Sequence, residues 1–553
     1  MTTKGYDAFL DCLSSEGVDY LFGNPGTTEL AIMEAVGKQN NIEYILGLQE
    51  NIVVAMADGY ARASGNLAVA NVHVAPGLGN AMGSIYNAKF FGSPILVTAG
   101  QQEQGHGLTE PMLYDPLVPI AQPLVKWAIE CTRIQDLPLI IHRAAKIALT
   151  PPMGPVFLSL PGDVLDASAD IKIGKATRVN TQVLPNQETL NILAQAILNA
   201  KNPAIVAGHE VASRDALDEA GDLALTMGAA VFQQTVPYSA QFKSEHPAFL
   251  GALSRNQKAC REQLEAHDLV LFLGSDVLRM SVFSEIDPLP PHIRLMQIGE
   301  RDWELGKNYP AEFAIRANVK ETAPALNNTL QSMMNDSYQS SATERLIQIK
   351  HRNWSSKRTE RVIQAQSFDK TVPINTLKLV MELAKSIPDD CVVIEEALSS
   401  SVNLLNYLPL RDHQGYFGLA SGGIGFAMAG AIGVSLALPD RPIVALVGDG
   451  SSMYSIQALW TAAHLKRPIT YVIPNNQGYK ILKQRLMSFR GTDKYIGMNI
   501  TDPAIDYVKL SESMGVPAMR VENPSDLNDA LTRATRSNRA NLIEVMISTD
   551  IHS

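Results

Sequence analysis

Two short segments near the C-terminus carry side chains that suit a metal ion held beside a diphosphate. Residues 448–451 read Gly-Asp-Gly-Ser, and residues 475–479 read Asn-Asn-Gln-Gly-Tyr. Glycines let the backbone turn sharply and bring N–H groups close to an anion. Magnesium takes about six oxygen ligands, several of them from water and phosphate. Asp449, Asn476 and the carbonyl of Gly478 could supply the protein's share.

Each segment follows a predicted strand, so both should lie at one edge of a parallel sheet. Residues 443–447 and 469–473 are short apolar runs typical of buried strands. Between them, apolar residues recur at helical spacing from 454 to 465. Ser451 would open that helix, where its hydroxyl and the free N–H groups can bind phosphate. Taken alone, each segment could equally be an ordinary turn of an α/β sheet.

Composition and charge describe a globular protein without a nucleic-acid surface. The chain has 553 residues, 46% of them hydrophobic, and a net charge of −10 with no basic run. Four scattered cysteines and the lack of an apolar leader favour the cytoplasm. One uncharged stretch, residues 415–439, is long enough to span a membrane. It contains seven glycines, however, so it is more typical of a loop and a buried helix, and no membrane segment is predicted.

Strands and helices alternate throughout, which is typical of α/β domains with parallel sheets. Two distant parts share one order of strand, turn, helix and strand, and a third α/β part lies between them without a Gly-x-Gly-x-x-Gly motif. We therefore predict three doubly wound parallel-sheet domains, at residues 1–180, 188–335 and 366–553. A polar connector is predicted at residues 335–343, and a basic helical stretch at 344–364.

The combination of strand, Gly-Asp-Gly-Ser, helix, strand and Asn-Asn resembles the signature of thiamine-diphosphate-dependent enzymes. Residues 455–463 look most like benzoylformate decarboxylases, the resemblance covers essentially the whole chain, and acetolactate synthases are also similar. It implies thiamine diphosphate and Mg²⁺ as cofactors, bound between a pyrimidine-binding first domain and a diphosphate-binding last domain. The metal ligands would be Asp449, Asn476 and Gly478. Further cofactor contacts implied by the resemblance are Gly450, Ser451, Tyr479 and, in a segment that departs from the decarboxylase pattern, Ser399.

The resemblance assigns the pyrimidine side of the cofactor to Glu50, Gly422 and Ile424. Glu50 matches a glutamate that contacts N1′, where a carboxyl group in apolar surroundings favours the imino tautomer of the cofactor. Ile424 would lie beneath the cofactor and keep it bent, and the Gly422 carbonyl would bind the 4′-amino group. Two local alternatives stay open. Glu50 could be a helix-start glutamate favoured by the macrodipole, and Ile424 could be an ordinary core residue.

The substrate side follows the family less closely. Thr27 replaces the serine that binds the substrate carboxylate in the decarboxylases, and His73 matches a histidine of proton transfer, although it could be a hydrogen-bonded histidine at a strand end. The second active-site histidine of the decarboxylases is missing, with Ser281 in its place. His106 is predicted to be a loop residue. A reduced proton-transfer set would favour reaction with a second carbonyl compound.

The resemblance therefore implies a lyase that decarboxylates a 2-oxo acid without oxidation and has carboligase side activity. The alternatives are a carboligase or lyase similar to acetolactate synthase or benzaldehyde lyase, and a non-catalytic paralogue that binds the cofactor. The substrates would be small 2-oxo acids and aldehydes. In this family the cofactor lies across a dimer interface, which implies a homodimer or homotetramer with Glu50 and Asp449 contributed by different subunits.

Overall fold

Three six-stranded parallel sheets, each covered by helices, make up the computed structural model, which describes residues 2–551. The predicted fold class of three doubly wound parallel-sheet domains is confirmed. No helix within residues 2–551 has the length and apolar character needed to cross a bilayer. We call the three parts the N-terminal, central and C-terminal domains, and their limits stay predictions.

The N-terminal domain has the strand order β3-β2-β4-β5-β7-β6, with all neighbours parallel. Its strands are β1 (Thr2–Lys4), β2 (Tyr20–Gly23), β3 (Glu43–Leu46), β4 (Ala68–Val72), β5 (Ile95–Gln101), β6 (Ala128–Glu130), β7 (Val156–Pro161) and β8 (Ser168–Asp170). Its helices are α1 (Gly5–Ser15), α2 (Leu30–Val36), α3 (Glu50–Ser64), α4 (Val74–Phe91), α5 (Leu117–Ala121), α6 (Leu137–Leu149) and α7 (Gly162–Asp166). Strands β1 and β8 form a separate antiparallel pair.

The central domain has the order β11-β10-β9-β12-β13-β14, the arrangement of a Rossmann sheet. Its strands are β9 (Pro203–Ala207), β10 (Ala230–Gln233), β11 (Phe249–Ala252), β12 (Leu269–Leu273), β13 (Arg294–Gly299) and β14 (Phe313–Arg316). Its helices are α8 (Gln187–Leu198), α9 (His209–Ser213), α10 (Leu217–Met227), α11 (Gln257–Leu264) and α12 (Val319–Met333).

Two further helices, α13 (Asp336–Lys350) and α14 (Trp354–Gln366), lead to the C-terminal domain. The predicted connector at 335–343 is wrong, because all but its first residue lie in α13. The side chain of Asn335 accepts the N–H of Tyr338 and caps the helix. Ala342 and Ile349 are buried on its inner face. The N-terminal cap and a few buried side chains thus stabilise a helix here despite the polar composition of the segment.

The C-terminal domain has the order β16-β15-β17-β18-β20-β19. Its strands are β15 (Val392–Glu396), β16 (Tyr416–Gly418), β17 (Ile443–Val447), β18 (Ile469–Asn475), β19 (Ala518–Val521) and β20 (Asn541–Met546). Its helices are α15 (Thr376–Ser386), α16 (Leu404–Tyr407), α17 (Ala427–Ala437), α18 (Asp449–Ser452), α19 (Ala458–His464), α20 (Lys480–Arg490), α21 (Tyr507–Ser513) and α22 (Pro524–Thr535). Numbered in chain order within each domain, its strands follow the same order as those of the N-terminal domain, so the two domains share one design.

The predicted helix at 454–465 is shorter in the structure, where it is α19. It is preceded by the single helical turn α18 and by non-helical turns at 453–457. The hydroxyl of Ser452 donates to the carbonyl of Asp449 at 2.7 Å. Such local side-chain bonds compete with a continuous helix. Ser451 therefore lies within a separate turn and does not open the longer helix.

The two domains of like design pack against each other through equivalent helices, α3 and α17. A Cβ atom on Gly59 would lie 2.1 Å from the carbonyl oxygen of Gly430, and one on Gly433 would lie 1.9 Å from that of Met56. Only glycine allows backbones to approach so closely. The run of glycines in residues 415–439 thus serves close helix packing. The segment before α17 also lies near the start of α3, because a Cβ atom on Gly425 would be 3.2 Å from the side-chain amide of Asn51.

Candidate functional site

Asp449 and Gly478 are joined at the carboxyl edge of the C-terminal sheet. The Asp449 carboxylate, whose residue is 3% exposed, accepts the N–H of Gly478 at 3.0 Å. The carbonyl of Asp449 accepts the hydroxyl of Tyr507 at 2.8 Å. Burial raises the pKa of Asp449 to about 6, although surrounding backbone N–H groups oppose this rise. A bound cation would favour the ionised carboxylate again.

The two asparagines that follow β18 have different partners. The side chain of Asn475 is hydrogen-bonded at both ends within the protein. Its amide donates to Glu544 at 2.7 Å, and its oxygen accepts the N–H of Gln477 at 2.9 Å. The side-chain oxygen of Asn476 is buried and has no hydrogen-bond partner among residues 2–551. An unpaired buried acceptor costs about 1–3 kcal/mol. Asn476 is therefore the member of the pair that is available for an external cation.

Other predicted contacts of the C-terminal domain surround this pair. The ring of Tyr479 lies against Gly450, where a Cβ atom would be 2.6 Å from the ring. Ser451 is buried within α18. Ser399 is half-buried, and its neighbour Ser400 has the buried hydroxyl that lacks a described partner. The sequence analysis named Ser399 as a cofactor contact and missed Ser400, because no local signal distinguishes the two serines.

The donor set of this region fits magnesium bound partly by phosphate. It offers the Asp449 carboxylate, the Asn476 amide oxygen and loop carbonyls, all hard oxygen ligands. Within the described residues no group of three or more His, Cys, Asp or Glu side chains could hold a metal. A cation here would thus complete its shell with water and ligand oxygens. This fit rests on the orphaned oxygen of Asn476.

Glu50 is the first residue of α3 and is only 8% exposed. One carboxylate oxygen accepts the side-chain amide of Asn80 at 3.0 Å. The other accepts no hydrogen bond from the described residues, and a Cβ atom on Gly77 would lie 2.9 Å from it. Glu50 is therefore a helix-start glutamate, as the local alternative held, and it also keeps one oxygen free for a ligand.

Residues 422–425, which we call the wedge loop, lie just before α17. Gly422 and Gly425 have φ angles of 84° and 116°, which favour glycine. Ile424 between them is half-buried, so it is not an ordinary core residue. The amide of Asn87, on α4, donates to the carbonyl of Gly423 at 2.8 Å. The N-terminal domain thus helps to hold the loop.

His73 follows β4 and is held by Glu29, a residue that sequence reasoning missed. The Nδ1 atom of His73 lies 2.7 Å from the Glu29 carboxylate, which is fully buried. Glu29 also accepts the N–H groups of Gly26 and Gly100, each at 2.9 Å, and the Thr28 hydroxyl at 2.8 Å. Because a carboxylate only accepts, His73 donates from Nδ1, and Nε2 is left without a described partner.

One local signal could have located Glu29. Its spacing from Gly26 is that of the acidic residue in a capping box, and its carboxylate does accept the N–H of Gly26. Thr27 is exposed and makes no hydrogen bond with its side chain within residues 2–551, whereas Thr28 is bound to Glu29. Thr27 therefore has a free hydroxyl, and it directly follows Gly26, where a Cβ atom would lie 2.1 Å from Nδ1 of His73.

The segment aligned with the missing histidine lies in the central domain. Ser281 is exposed there, and Phe283 is 89% exposed. His106 is also exposed, in a turn before residues 107–109, as predicted for a loop residue. Neither Ser281 nor His106 has a contact with His73 among the described hydrogen bonds. Of these three residues, only His73 is held in a fixed orientation by a buried carboxylate.

The predicted site residues belong to two domains of the chain. Glu50, His73 and Glu29 belong to the N-terminal domain, whereas Asp449 and Asn476 belong to the C-terminal domain. No hydrogen bond or ion pair within the described part of the chain joins one group to the other. The wedge loop contacts the N-terminal domain through Asn87.

Family profiles match all three domains. The profiles are the N-terminal thiamine pyrophosphate binding domain at residues 3–113, the central domain of thiamine pyrophosphate enzymes at 190–326, and the C-terminal thiamine pyrophosphate binding domain at 399–545. The chain belongs to the thiamine-diphosphate-dependent enzyme family. The resemblance seen in the sequence is confirmed.

Relatives within the family match over nearly their full length. Benzoylformate decarboxylase of Pseudomonas aeruginosa is 30% identical, with 98% of this chain and 99% of the relative aligned. A probable acetolactate synthase large subunit of Methanococcus aeolicus is 26% identical, with 98% and 92% aligned. The solved structure of a thiamine-diphosphate-dependent 4-hydroxybenzoylformate decarboxylase from Rhodococcus jostii is 30% identical, with a TM-score of 0.87 and 99% and 100% of the two chains covered.

Proposed function

We propose that this family member decarboxylates a 2-oxo acid without oxidation, with thiamine diphosphate and Mg²⁺, and has carboligase side activity. The observation that carries the proposal is the His73–Glu29 pair, which presents a free imidazole nitrogen in a chain similar to benzoylformate decarboxylases. We further propose a cytoplasmic homodimer or homotetramer. Its substrates would be small molecules, since a net charge of −10 does not favour nucleic acid.

The C-terminal domain would hold the diphosphate and the metal. Asp449, Asn476 and the carbonyl of Gly478 would bind Mg²⁺, and the orphaned oxygen of Asn476 supports this assignment. Gly450, Ser451, Tyr479 and Ser399 would contact the cofactor. Bound thiamine diphosphate supplies a carbanion at C2 of its thiazolium ring and an electron sink for the carbon that loses CO₂.

The pyrimidine side would be bound by Glu50 and the wedge loop. The free oxygen of Glu50 suits a hydrogen bond to N1′, and its low exposure keeps water from competing for that bond. Ile424 would keep the two rings of the cofactor bent toward each other, and the Gly422 carbonyl would bind the 4′-amino group. These residues orient the ligand and shift a proton within it.

At the substrate, the Thr27 hydroxyl would bind the carboxylate and His73 would transfer a proton through Nε2. Glu29 fixes the imidazole tautomer and orientation, as carboxylates do beside catalytic histidines. After loss of CO₂, the proton that completes an aldehyde product would come from His73. This assignment makes Glu29 a positioning residue.

Glu29→Gln should lower kcat for 2-oxo acid consumption by about tenfold to a hundredfold, because the amide stabilises a charged imidazole less well and can bind the wrong tautomer. The loss should fall on kcat and leave KM for the 2-oxo acid nearly unchanged, because Glu29 orients His73 and does not bind the substrate. Thr28→Val is the matched control, because it removes one hydrogen bond to Glu29 and leaves the carboxylate. An undiminished kcat in Glu29→Gln, or a rise in KM alone, would show that Glu29 does not act through His73.

A second candidate function is carboligation as the main reaction, as in an acetolactate synthase-like or benzaldehyde lyase-like enzyme. The exposed Ser281, where the decarboxylases have a histidine, favours it. Slow proton delivery after loss of CO₂ gives an acceptor aldehyde more time to react.

A non-catalytic paralogue that binds the cofactor is a candidate of another class. The presence of Glu50, Asp449 and Asn476 argues against it.

Incubation with aliphatic and aromatic 2-oxo acids, with and without an acceptor aldehyde, separates these candidates. We expect an aldehyde from a 2-oxo acid alone and an additional acyloin when acceptor is present. Products are identified by chromatography and mass spectrometry. Aldehyde as the sole product in the presence of acceptor would reject the carboligase activity, and acyloin without free aldehyde would make carboligation the main reaction.

A further inference from the structure

Glu396 is a fully buried carboxylate with no role in the functions proposed above. It is the last residue of β15. One oxygen accepts the N–H of Gly425 at 2.5 Å, and the other accepts those of Phe426 and Ala427, each at 2.7 Å. Its three partners are consecutive and lead from the wedge loop into α17. The side chain thus binds the end of the wedge loop and the start of the helix together.

A buried carboxylate at this position is costly to the fold. Burial raises the pKa of Glu396 to about 7, and the three N–H groups oppose that rise. An uncharged cap such as Asn or Ser can begin a helix without burying a charge. The Glu396 carboxyl group instead binds three consecutive backbone N–H groups at once, which holds the segment rigidly, because charged acceptors make the stronger hydrogen bonds.

The backbone of Glu396 binds the second part of the candidate site. Its carbonyl accepts the N–H of Gly448 at 3.3 Å, directly before Asp449. Strand β15 also lies beside β17 in the sheet, with Glu396 paired to Val447. Glu396 therefore contacts both the wedge loop and Gly448, the residue before Asp449, and fixes the position of one relative to the other.

We propose that Glu396 is a positioning residue that holds Ile424 and the Gly422 carbonyl in register with Asp449, so that the pyrimidine and diphosphate ends of one cofactor are bound at the correct separation. This inference rests on the proposed function. Glu396 does not touch the cofactor, and it acts through the wedge loop. The neighbouring carboxylate, Glu395, does not bind the wedge loop. It accepts the N–H of Ala397 at 2.7 Å and the hydroxyl of Tyr416 at 3.1 Å.

The test begins with the protein free of cofactor. Glu396→Gln keeps the size of the side chain but turns an NH₂ group toward backbone donors. Amide hydrogen exchange in a peptide covering residues 422–430 should become at least about tenfold faster, because a charge-assisted hydrogen bond is lost. Glu16→Gln is the matched control. Glu16 is also a buried carboxylate, but it binds His142 and Arg178 in the N-terminal domain. An unchanged exchange rate at 422–430 in Glu396→Gln would overturn the proposal.

The second readout is deuterium exchange at C2 of bound thiamine diphosphate. Glu396→Gln and Ile424→Ala should each slow it by about tenfold or more, and the double variant should be no slower than the slower single variant, because both changes act through one loop. The proposal would be overturned if the exchange rate of the double variant fell by the product of the two single losses, or if Glu396→Gln exchanged as fast as the unmodified protein. Absence of C2 exchange in the unmodified protein would instead refute the proposed function, and with it the cofactor role of Glu396. If Glu396→Gln does not fold, Glu396→Asp, which keeps the charge on a shorter side chain, takes its place in both measurements.

Discussion

Glu50→Gln should fold normally and slow deuterium exchange at C2 of bound thiamine diphosphate by about 10²–10⁴-fold. The amide cannot share a proton with N1′ as a carboxyl group can, so the imino tautomer loses its support. The hydrogen bond from Asn80 to Glu50 is the main contact that the substitution alters within the protein. Exchange is followed by NMR after acid quench, and folding by circular dichroism.

The matched control for Glu50→Gln is Asn80→Ala, which removes the protein partner of Glu50 and leaves its carboxylate. We expect a loss of less than about tenfold in that variant, because one neutral donor to the carboxylate is removed. An undiminished exchange rate in Glu50→Gln would remove Glu50 from the mechanism. Equal losses in the two variants would indicate that packing around α3, and not the carboxyl group, sets the rate.

Asp449→Asn should weaken Mg²⁺-dependent binding of thiamine diphosphate by about a hundredfold or more, because loss of a metal ligand removes the only carboxylate in the donor set. The same change should leave the thermal stability of the cofactor-free protein equal or raise it. The reason is that burial raises the pKa of Asp449, so the charge costs stability when no cation is bound. Calorimetric titration with and without Mg²⁺ measures the first effect, and thermal unfolding measures the second.

Asn476→Ala is a companion to Asp449→Asn, and it should show a comparable loss of cofactor affinity with Mg²⁺ present. Asp526→Asn, at an exposed position of α22, is the control that should bind normally. If Asp449→Asn binds thiamine diphosphate as tightly as the unmodified protein at the same Mg²⁺ concentration, Asp449 is not a metal ligand. A fall in stability of the cofactor-free variant would instead give Asp449 a structural role.

The fold class could be predicted because alternating strands and helices carry a local signal. The buried apolar runs at Ile443–Val447 and Ile469–Asn475 are strands in the structure, and the first has the predicted limits. Strand order could not be predicted, because it depends on pairing between distant segments. The first half of α13, up to residue 343, was missed for a related reason, because its stability comes from a cap and from packing against the central domain and not from its polar composition. The predicted helical stretch at 344–364 lies in α13 and α14 apart from residues 351–353.

The site shows the same division between local motifs and long-range contacts. Asp449, Asn476 and Glu50 stand in recognisable motifs, so the sequence could nominate them, and their roles stay predictions. Glu396 was missed because its partners are far away in the chain, and the capping-box spacing that could have located Glu29 does not reveal its bond to His73. His73 lies 44 residues from Glu29, and Gly425 lies 29 residues from Glu396. Only the fold shows that these two carboxylates support residues that the motifs had identified.

The most direct test of the proposed function is CO₂ release from 2-oxo acids by the purified protein after removal of metal and cofactor. We predict no release from the stripped protein, and release from at least one aromatic or aliphatic 2-oxo acid when both Mg²⁺ and thiamine diphosphate are restored. Glu50→Gln should lose most of this restored activity. Release that is independent of thiamine diphosphate, or no release from any 2-oxo acid by protein shown to bind the cofactor, would contradict the account.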